Sequence, residues 1–177
     1  QAVAWSDRYA DGIVGHVPLP RLAWPNEVVG EVTPQAAQET GLRPGTPVTA
    51  GTIDVVSEAL SVGILDPGDM MVVYGTTACL LLVLDKPVPN EKMWLMPYGL
   101  PGRYSLVGGM ATTGALTRWF RDHFAQPEIA VQAAGGPNAY AALTAEAAQV
   151  PAGSEGLVLL PYFSGERTPL NDPQARG

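Results

Sequence analysis

An α/β fold with a mixed sheet is predicted by three observations. Two apolar runs of β type, Met70–Tyr74 and Ala78–Leu84, flank a Gly-Thr-Thr tip and read as a hairpin. Segments with helical periodicity or helical end signals lie on both sides of it, beginning at Thr33, Asp54, Thr113 and Asn138. Strands and helices interleave while a hairpin is present, which argues against a purely parallel sheet.

Taken in order, residues 1–32 are proline-rich and irregular, with a short strand expected over Val28–Val32. "TPQAAQETGL" carries helix end signals: Thr33 as N-cap, Pro34 at the first helical position and Gly41 as C-cap. "RPGTPVTAGT" gives a turn and a short buried strand, Pro47–Ala50. A helix over Asp54–Val62 follows at once and is closed by Gly63, with Ser57 and Glu58 on its polar side. "DPGDM" is a tight turn leading into the hairpin. The stretch Lys86–Gly102, rich in Trp, Met and Pro, reads as a loop. A strand at Tyr104–Val107 leads into "GGMATTGALTRWFRDHF". There Leu116, Trp119, Phe120 and Phe124 fall at helical spacing, so Thr113–Phe124 is a helix with one apolar face. "NAYAALTAEAAQV" is an Ala-rich helix ending before Pro151. "GLVLLPYFSGE" reads as a buried strand running into a loop, and the remainder is irregular. Neither an internal repeat nor a low-complexity segment occurs.

A chain of 177 residues suits one large domain or two small pieces, and 46% apolar residues suit a folded core. The net charge is -7 with no basic block, which argues against a nucleic-acid groove or an anionic membrane surface as partner. The longest apolar run, Met70–Leu84, is too short to span a bilayer and is interrupted by Gly75. The single cysteine, Cys79, excludes an intramolecular disulfide; it reads as a buried, inert thiol in a reducing compartment. The first residues lack the basic-then-apolar pattern of a secretory signal, and both ends read as cut.

Three segments carry candidate chemistry. At the Gly75–Thr77 tip, a glycine, two hydroxyls and successive N–H groups suit phosphate oxygens, although an ordinary hairpin turn has the same composition. Asp54, at a helix start, is either a helix cap or a general base beside a substrate hydroxyl. In Gly108–Trp119, small residues before a helix suit a nucleotide lying across its N-terminus, or simply close packing. No G-x-x-x-x-G-K-[ST] occurs, so a P-loop is excluded. Ala152–Gly156 resembles a nucleophile elbow only loosely, because a helix precedes it and an apolar run follows, the reverse of the required order. His16 and His123 lie far apart without ligand-spaced partners, which argues against a zinc site.

Taken together and in order, "PGTPVTAGTIDVVSEALSVGILDPGDMMVVYGTTACL", "GGMATTGALTRWFRD" and "LVLLPYFSGERTPLNDPQARG" resemble the FGGY family of carbohydrate kinases. The last is close to a family hallmark, G-E-R-x-P followed by D-P-x-A-R-G. The resemblance implies two lobes of the actin-like, ribonuclease-H-like ATPase type, present here incompletely. Residues 1–64 would end the first, sugar-binding lobe, and 65–177 would begin the second, nucleotide-binding lobe.

The resemblance also implies a cytoplasmic kinase that moves the γ-phosphoryl group of ATP, with Mg²⁺, to a small-molecule sugar or polyol, a pentulose such as xylulose being favoured. It leaves room for a homodimer of the full-length protein. Asp54 falls where the family places its catalytic base, in contact with the substrate. Gly75, Thr76 and Thr77 fall on a phosphate loop, and Gly114 and Arg118 at nucleotide contacts. Glu166 and Arg167 look structural, tying a loop to the second lobe. The family's Asp-x-Gly-Thr loop and late Gly-Gly adenine segment do not occur among the 177 residues. Metal ligands and most sugar contacts are therefore expected outside them, and the isolated chain is expected to be inactive. The competing reading is a non-catalytic, actin-like nucleotide-binding or assembly protein. Asp54 together with "GERTP" favours the kinase, because a scaffold has no need of a base.

Overall fold

The structure is a computed structural model that describes residues 4–6, 15 and 17–177. Residues 1–3, 7–14 and 16, His16 among them, lie outside the described residues. Contacts divide the chain into two compact units: the described part of Gln1–Asp69 with Val83–Val88 and Met96–Ser105, and Met70–Leu82 with Pro89–Leu95 and Leu106–Gly177.

In the first unit, strand β1 (Val28–Glu31) pairs antiparallel with β2 (Pro47–Thr49), with a register irregularity between Val28 and Gly30. Between them lies helix α1 (Pro34–Thr40), capped as expected. The Thr33 hydroxyl accepts the Ala36 N–H at 3.1 Å, and Gly41 closes the helix in the left-handed region at φ 77°. The strand expected to be buried at Pro47–Ala50 is exposed throughout and ends at Thr49. The reason is architectural: a two-stranded ribbon with no second layer on it cannot bury its residues, however apolar they are.

Helix α2 (Asp54–Ser61) follows and buries Val56 and Ala59, while Ser57 and Glu58 face solvent as expected. Its inner face packs closely on Gly99, where a Cβ would meet Val56 Cγ1 at 3.0 Å and Leu60 Cδ1 at 3.3 Å. Beside it Tyr98 is buried and donates its hydroxyl to the Ile64 carbonyl at 2.6 Å. Burial pushes the Tyr98 phenol above its ordinary range, and the Asp69 carboxylate adds to the shift. Asp69 itself fixes the turn before the hairpin, accepting the N–H groups of Asp66 and Leu65 at 2.9 and 3.0 Å.

The hairpin has the expected bounds. Strand β3 (Met70–Tyr74) pairs antiparallel with β4 (Ala78–Leu84) in five register pairs, the last being Tyr74 with Ala78. Along β4, Ala78, Leu81 and Val83 are buried, and Cys79 is half-buried. The thiol expected to be fully buried is only partly so, although the strand's period of two puts Cys79 on the same side as Leu81 and Val83.

The stretch expected as a loop contains strand β5 (Trp94–Pro97), and β6 runs Tyr104–Met110, three residues longer than expected. The strand order is β3-β4-β6-β5. As the terminal strand in that order, β5 can tolerate Pro97, the residue that made the segment look irregular.

Helix α3 (Gly114–Phe124) is the expected aromatic helix. Buried Ala125 separates it from α4 (Gln126–Ala133), which the sequence reading did not anticipate; its proline sits harmlessly in the first turn. Helix α5 (Ala139–Ala147) is capped by Asn138, whose side chain accepts the Tyr140 N–H at 2.9 Å. The aromatic face of α3 is less buried than its pattern suggested. Trp119 packs edge-on against Phe163 at 4.9 Å, while Phe124 is 62% exposed.

The run Leu157–Tyr162 is not the buried strand expected. It forms no strand, and Leu157, Val158 and Leu159 are exposed. An apolar run becomes a strand only beside a hydrogen-bonding edge, and among the described residues this one has none.

Candidate functional site

In the first unit, a tight backbone turn delivers Asp54. The N–H groups of Ala50 and Gly51 donate to the carbonyls of Glu27 and Pro25 at 3.0 and 3.1 Å, and Gly51 turns the chain at φ 70°. That angle suits glycine, since a Cβ disfavours it. Gly51, Thr52 and Ile53 then form one wall of a cavity of about 280 Å³ shared with Trp24 and Gly99.

Asp54 is the first residue of α2 rather than its N-cap. Ile53 holds the cap position and makes no side-chain cap bond. Instead Asp54 Oδ1 accepts the N–H of Val55 at 2.8 Å, which satisfies one of the free donors of the first turn. The side chain is exposed, and no other hydrogen bond within the described residues occupies its second oxygen. The carboxylate thus stabilises the helix end and still presents a free acceptor.

In the second unit, Gly75, Thr76, Thr77 and Gly114 come together. The carbonyl of Gly75 accepts the Gly114 N–H at 2.8 Å, and the carbonyl of Thr76 accepts those of Thr113 and Ala115 at 3.0 and 3.3 Å. Three N–H groups at the start of α3 are therefore occupied by the hairpin tip. A Cβ on Gly114 would lie 2.5 Å from the Gly75 oxygen, so the approach requires glycine.

The N–H groups of Thr76 and Thr77 point the other way, because a trans peptide sets N–H opposite to C=O. Among the described residues no partner takes either N–H or either threonine hydroxyl. Two adjacent free N–H donors thus face away from α3. At the start of α3 the Thr113 hydroxyl is buried without a partner among the described residues. Of the two readings of the small residues before α3, close packing is what the contacts display: the tip's own carbonyls bond the N–H groups at the helix start.

Arg118 is highly exposed and lies 3.7 Å from Asp122 one turn on. Asp54 belongs to the first unit, and the tip, Gly114 and Arg118 to the second.

Two groups of residues were not anticipated. Tyr74 and Thr117 share a hydrogen bond of 2.9 Å between their hydroxyls, joining the strand before the tip to α3. Thr168 fastens the "GERTP" segment to β6: its hydroxyl accepts the Gly109 N–H at 2.5 Å and donates to the Gly109 carbonyl at 2.7 Å. Glu166 is buried, exchanges two backbone bonds of 2.9 Å with Asp172, and takes the Arg167 N–H on Oε1. Glu166 and Arg167 were the residues expected to tie this loop; the hydroxyl that bonds β6 is that of Thr168.

A family profile described as "FGGY family of carbohydrate kinases, C-terminal domain" matches residues 70–177. The chain is 35% identical over 174 residues to a gluconokinase of Bacillus subtilis (strain 168), a match covering 97% of this chain and 34% of that protein. It is 38% identical over 139 residues to an autoinducer-2 kinase of Yersinia enterocolitica, covering 77% of this chain and 26% of that protein. Among solved structures, xylulose kinase from Rhodospirillum rubrum superposes with a TM-score of 0.73 at 35% identity, covering 88% of this chain and 31% of that one. Ligand-bound xylulose kinase from Lactobacillus acidophilus, at 24% identity, gives a TM-score of 0.79 over 98% of this chain and 34% of that one, a likeness of fold. The chain spans about a third of the length of the curated relatives it matches. The fold shared with these sugar kinases is the actin-like α/β fold expected from the sequence.

Proposed function

This chain belongs to the FGGY family of carbohydrate kinases, and from that premise we propose that it is the central part of an ATP-dependent kinase that phosphorylates a hydroxyl of a sugar or sugar acid. Residues 1–64 then end the sugar-binding lobe and 65–177 begin the nucleotide-binding lobe. The observation that carries the reading is the hairpin tip, where two adjacent N–H groups and two threonine hydroxyls have no partner among the described residues. That donor set fits the oxygens of a phosphate chain. Arg118, exposed on α3, supplies a cation toward the nucleotide. For Mg²⁺ the fit is different: among the described residues no group of three or more His, Cys, Asp or Glu could hold a metal ion.

In the reaction, a substrate hydroxyl oxygen forms the new bond to the γ-phosphorus, and the bond from that phosphorus to the β-phosphate oxygen breaks. The hydroxyl proton passes to the free oxygen of Asp54, and ADP leaves. Phosphoryl transfer depends mainly on positioning and on charge stabilisation. A single exposed carboxylate aimed at one hydroxyl is enough as base, and it also selects which hydroxyl reacts. The helix-stabilising and basic roles of Asp54 are compatible, since they use different oxygens.

For the acceptor, kinship with gluconokinases supports gluconate, and kinship with a xylulose kinase supports the pentulose favoured by the sequence reading. ADP release by the full-length protein, measured with D-gluconate, D-xylulose and a polyol panel, decides between them. Turnover with none of these overturns the kinase reading. The 177-residue chain by itself is expected to turn over no sugar, because it represents about a third of the length of its relatives.

A further inference from the structure

We propose that helix α3 acts on the nucleotide phosphates through the peptide groups of the hairpin tip, and that Tyr74, Gly114 and Thr117 are the positioning residues of this relay. The proposal deepens the kinase reading and rests on the Gly75–Thr77 tip being the phosphate loop.

A helix N-terminus ordinarily attracts an anion directly, through its free N–H groups and its dipole. In α3 the N–H groups of Thr113, Gly114 and Ala115 are already bonded to the carbonyls of Gly75 and Thr76. Those carbonyls belong to the same peptide groups as the free N–H donors of Thr76 and Thr77. A peptide whose oxygen accepts hydrogen bonds is polarised and becomes a better N–H donor. The positive end of α3 thus reaches the phosphate one peptide removed. The price is a geometry in which both carbonyls must stay aimed at the helix.

Two features hold that aim. Gly114 lets the Gly75 oxygen approach to a place where any Cβ would stand 2.5 Å from it. One turn along the same face of α3, Thr117 bonds Tyr74, the residue that leads into the tip. A threonine inside a helix commonly returns its hydroxyl to the carbonyl one turn back; the Thr117 hydroxyl instead pairs with that of Tyr74. Tyr74 is 67% exposed, so burial does not fix its ring and the hydroxyl pair does. The contacts from Tyr74 to Thr117 and from Gly75 to Gly114 run side by side.

The test uses the full-length protein and two probes, a non-hydrolysable ATP analogue and adenosine, titrated calorimetrically. A second readout is amide hydrogen exchange at residues 113–115 without nucleotide. Thr117→Val and Tyr74→Phe each remove one neutral hydrogen bond and are expected to weaken the analogue about three- to tenfold. The double variant should be no weaker than the worse single one, because both break the same bond. Adenosine affinity should not change, exchange at residues 113–115 should quicken, and Thr117→Ser should restore both values. Gly114→Ala should weaken the analogue more than either; should it fail to fold, the Thr117 and Tyr74 variants decide. An unchanged analogue affinity in folded Thr117→Val and Tyr74→Phe, or an equal loss for adenosine, overturns the relay. Thr76→Val separates the two levels. If it weakens the analogue while the other variants do not, only the relay falls; if it too has no effect, the phosphate-loop reading falls with it.

Discussion

The starts of α2 and α3 are both strand-to-helix junctions reached through small residues, yet they are finished differently. At α2 the local chain completes the helix end by itself: Ile53 contributes no cap bond, and Asp54 takes the Val55 N–H with one oxygen. At α3 the end is completed from 39 positions away in sequence, by the carbonyls of Gly75 and Thr76. The first solution leaves a carboxylate oxygen facing solvent. The second leaves no charge at the helix but turns two N–H groups outward on the tip. One junction is therefore suited to accept a proton and the other to donate hydrogen bonds to an anion. The same local pattern gives opposite chemistry, depending on whether the first-turn donors are satisfied by a side chain or by a distant backbone.

The largest test of this contrast is Asp54→Asn in the full-length protein. Loss of a positioned base typically lowers rate by about two to four orders of magnitude. Asparagine serves a helix end about as well as aspartate, so the melting temperature should hardly move. Near-normal kcat would remove the base role, and a large drop in melting temperature would make α2 as dependent on its first residue as α3 is on the tip.

Thr76→Val comes next. A hydrogen bond to a charged phosphate oxygen is worth about 1.5–3 kcal/mol, so analogue affinity should fall roughly ten- to a hundredfold. The backbone N–H groups remain, so binding should persist, and the β-branched replacement keeps the hairpin. Calorimetric titration of variant and wild type gives the answer; equal dissociation constants would dissolve the contrast, leaving α3 capped for structural reasons alone.

A smaller effect on catalysis but a clear one on stability is expected at Thr168→Val. It removes a hydroxyl that bonds both the N–H and the carbonyl of Gly109 on β6. Leaving those groups without their partner should lower stability by about 1–3 kcal/mol. Thermal unfolding together with analogue binding tests it: a lower melting temperature with unchanged affinity marks Thr168 as a fastener of the "GERTP" segment and not part of the phosphate site.

The smallest effect is in acid. The N–H groups of Asp66 and Leu65 hold the Asp69 carboxyl below its ordinary value of 3.8, and those of Trp24, with Arg21, hold Glu27 below 4.5. A carboxyl whose folded pKa is depressed contributes its full stabilisation above the unfolded value and loses it as pH falls through the folded one. Stability should therefore be level near neutrality and decline below about pH 4. Asp69→Asn should flatten that decline in pH-dependent unfolding. A variant as acid-sensitive as wild type would show that the turn before the hairpin does not couple to pH, and would leave the first unit's polar contacts at Glu27 as the acid-labile ones.

Much of this protein was determined by local sequence alone. Thr33, Pro34 and Gly41 fix the ends of α1, because capping involves only neighbouring backbone groups. The hairpin bounds at Met70–Tyr74 and Ala78–Leu84 follow from two apolar runs and a three-residue tip. The GTT and GERTP segments and the aspartate after Gly51 were legible because each is contiguous. What only tertiary structure decided involves partners far apart in the chain. Apolar composition suggested burial at Pro47–Thr49 and Leu157–Leu160, but burial needs a second layer, and neither has one among the described residues. Composition likewise hid β5, whose proline is tolerable only at a sheet edge. The role of Gly114 was open at the level of sequence, since a missing Cβ makes room without saying for what. That a carbonyl 39 residues upstream fills the space, and that Tyr74 meets Thr117 across 43 residues, follows from how the hairpin packs on α3. Short-range patterns report which groups are available; only the packed chain determines which of them remain free.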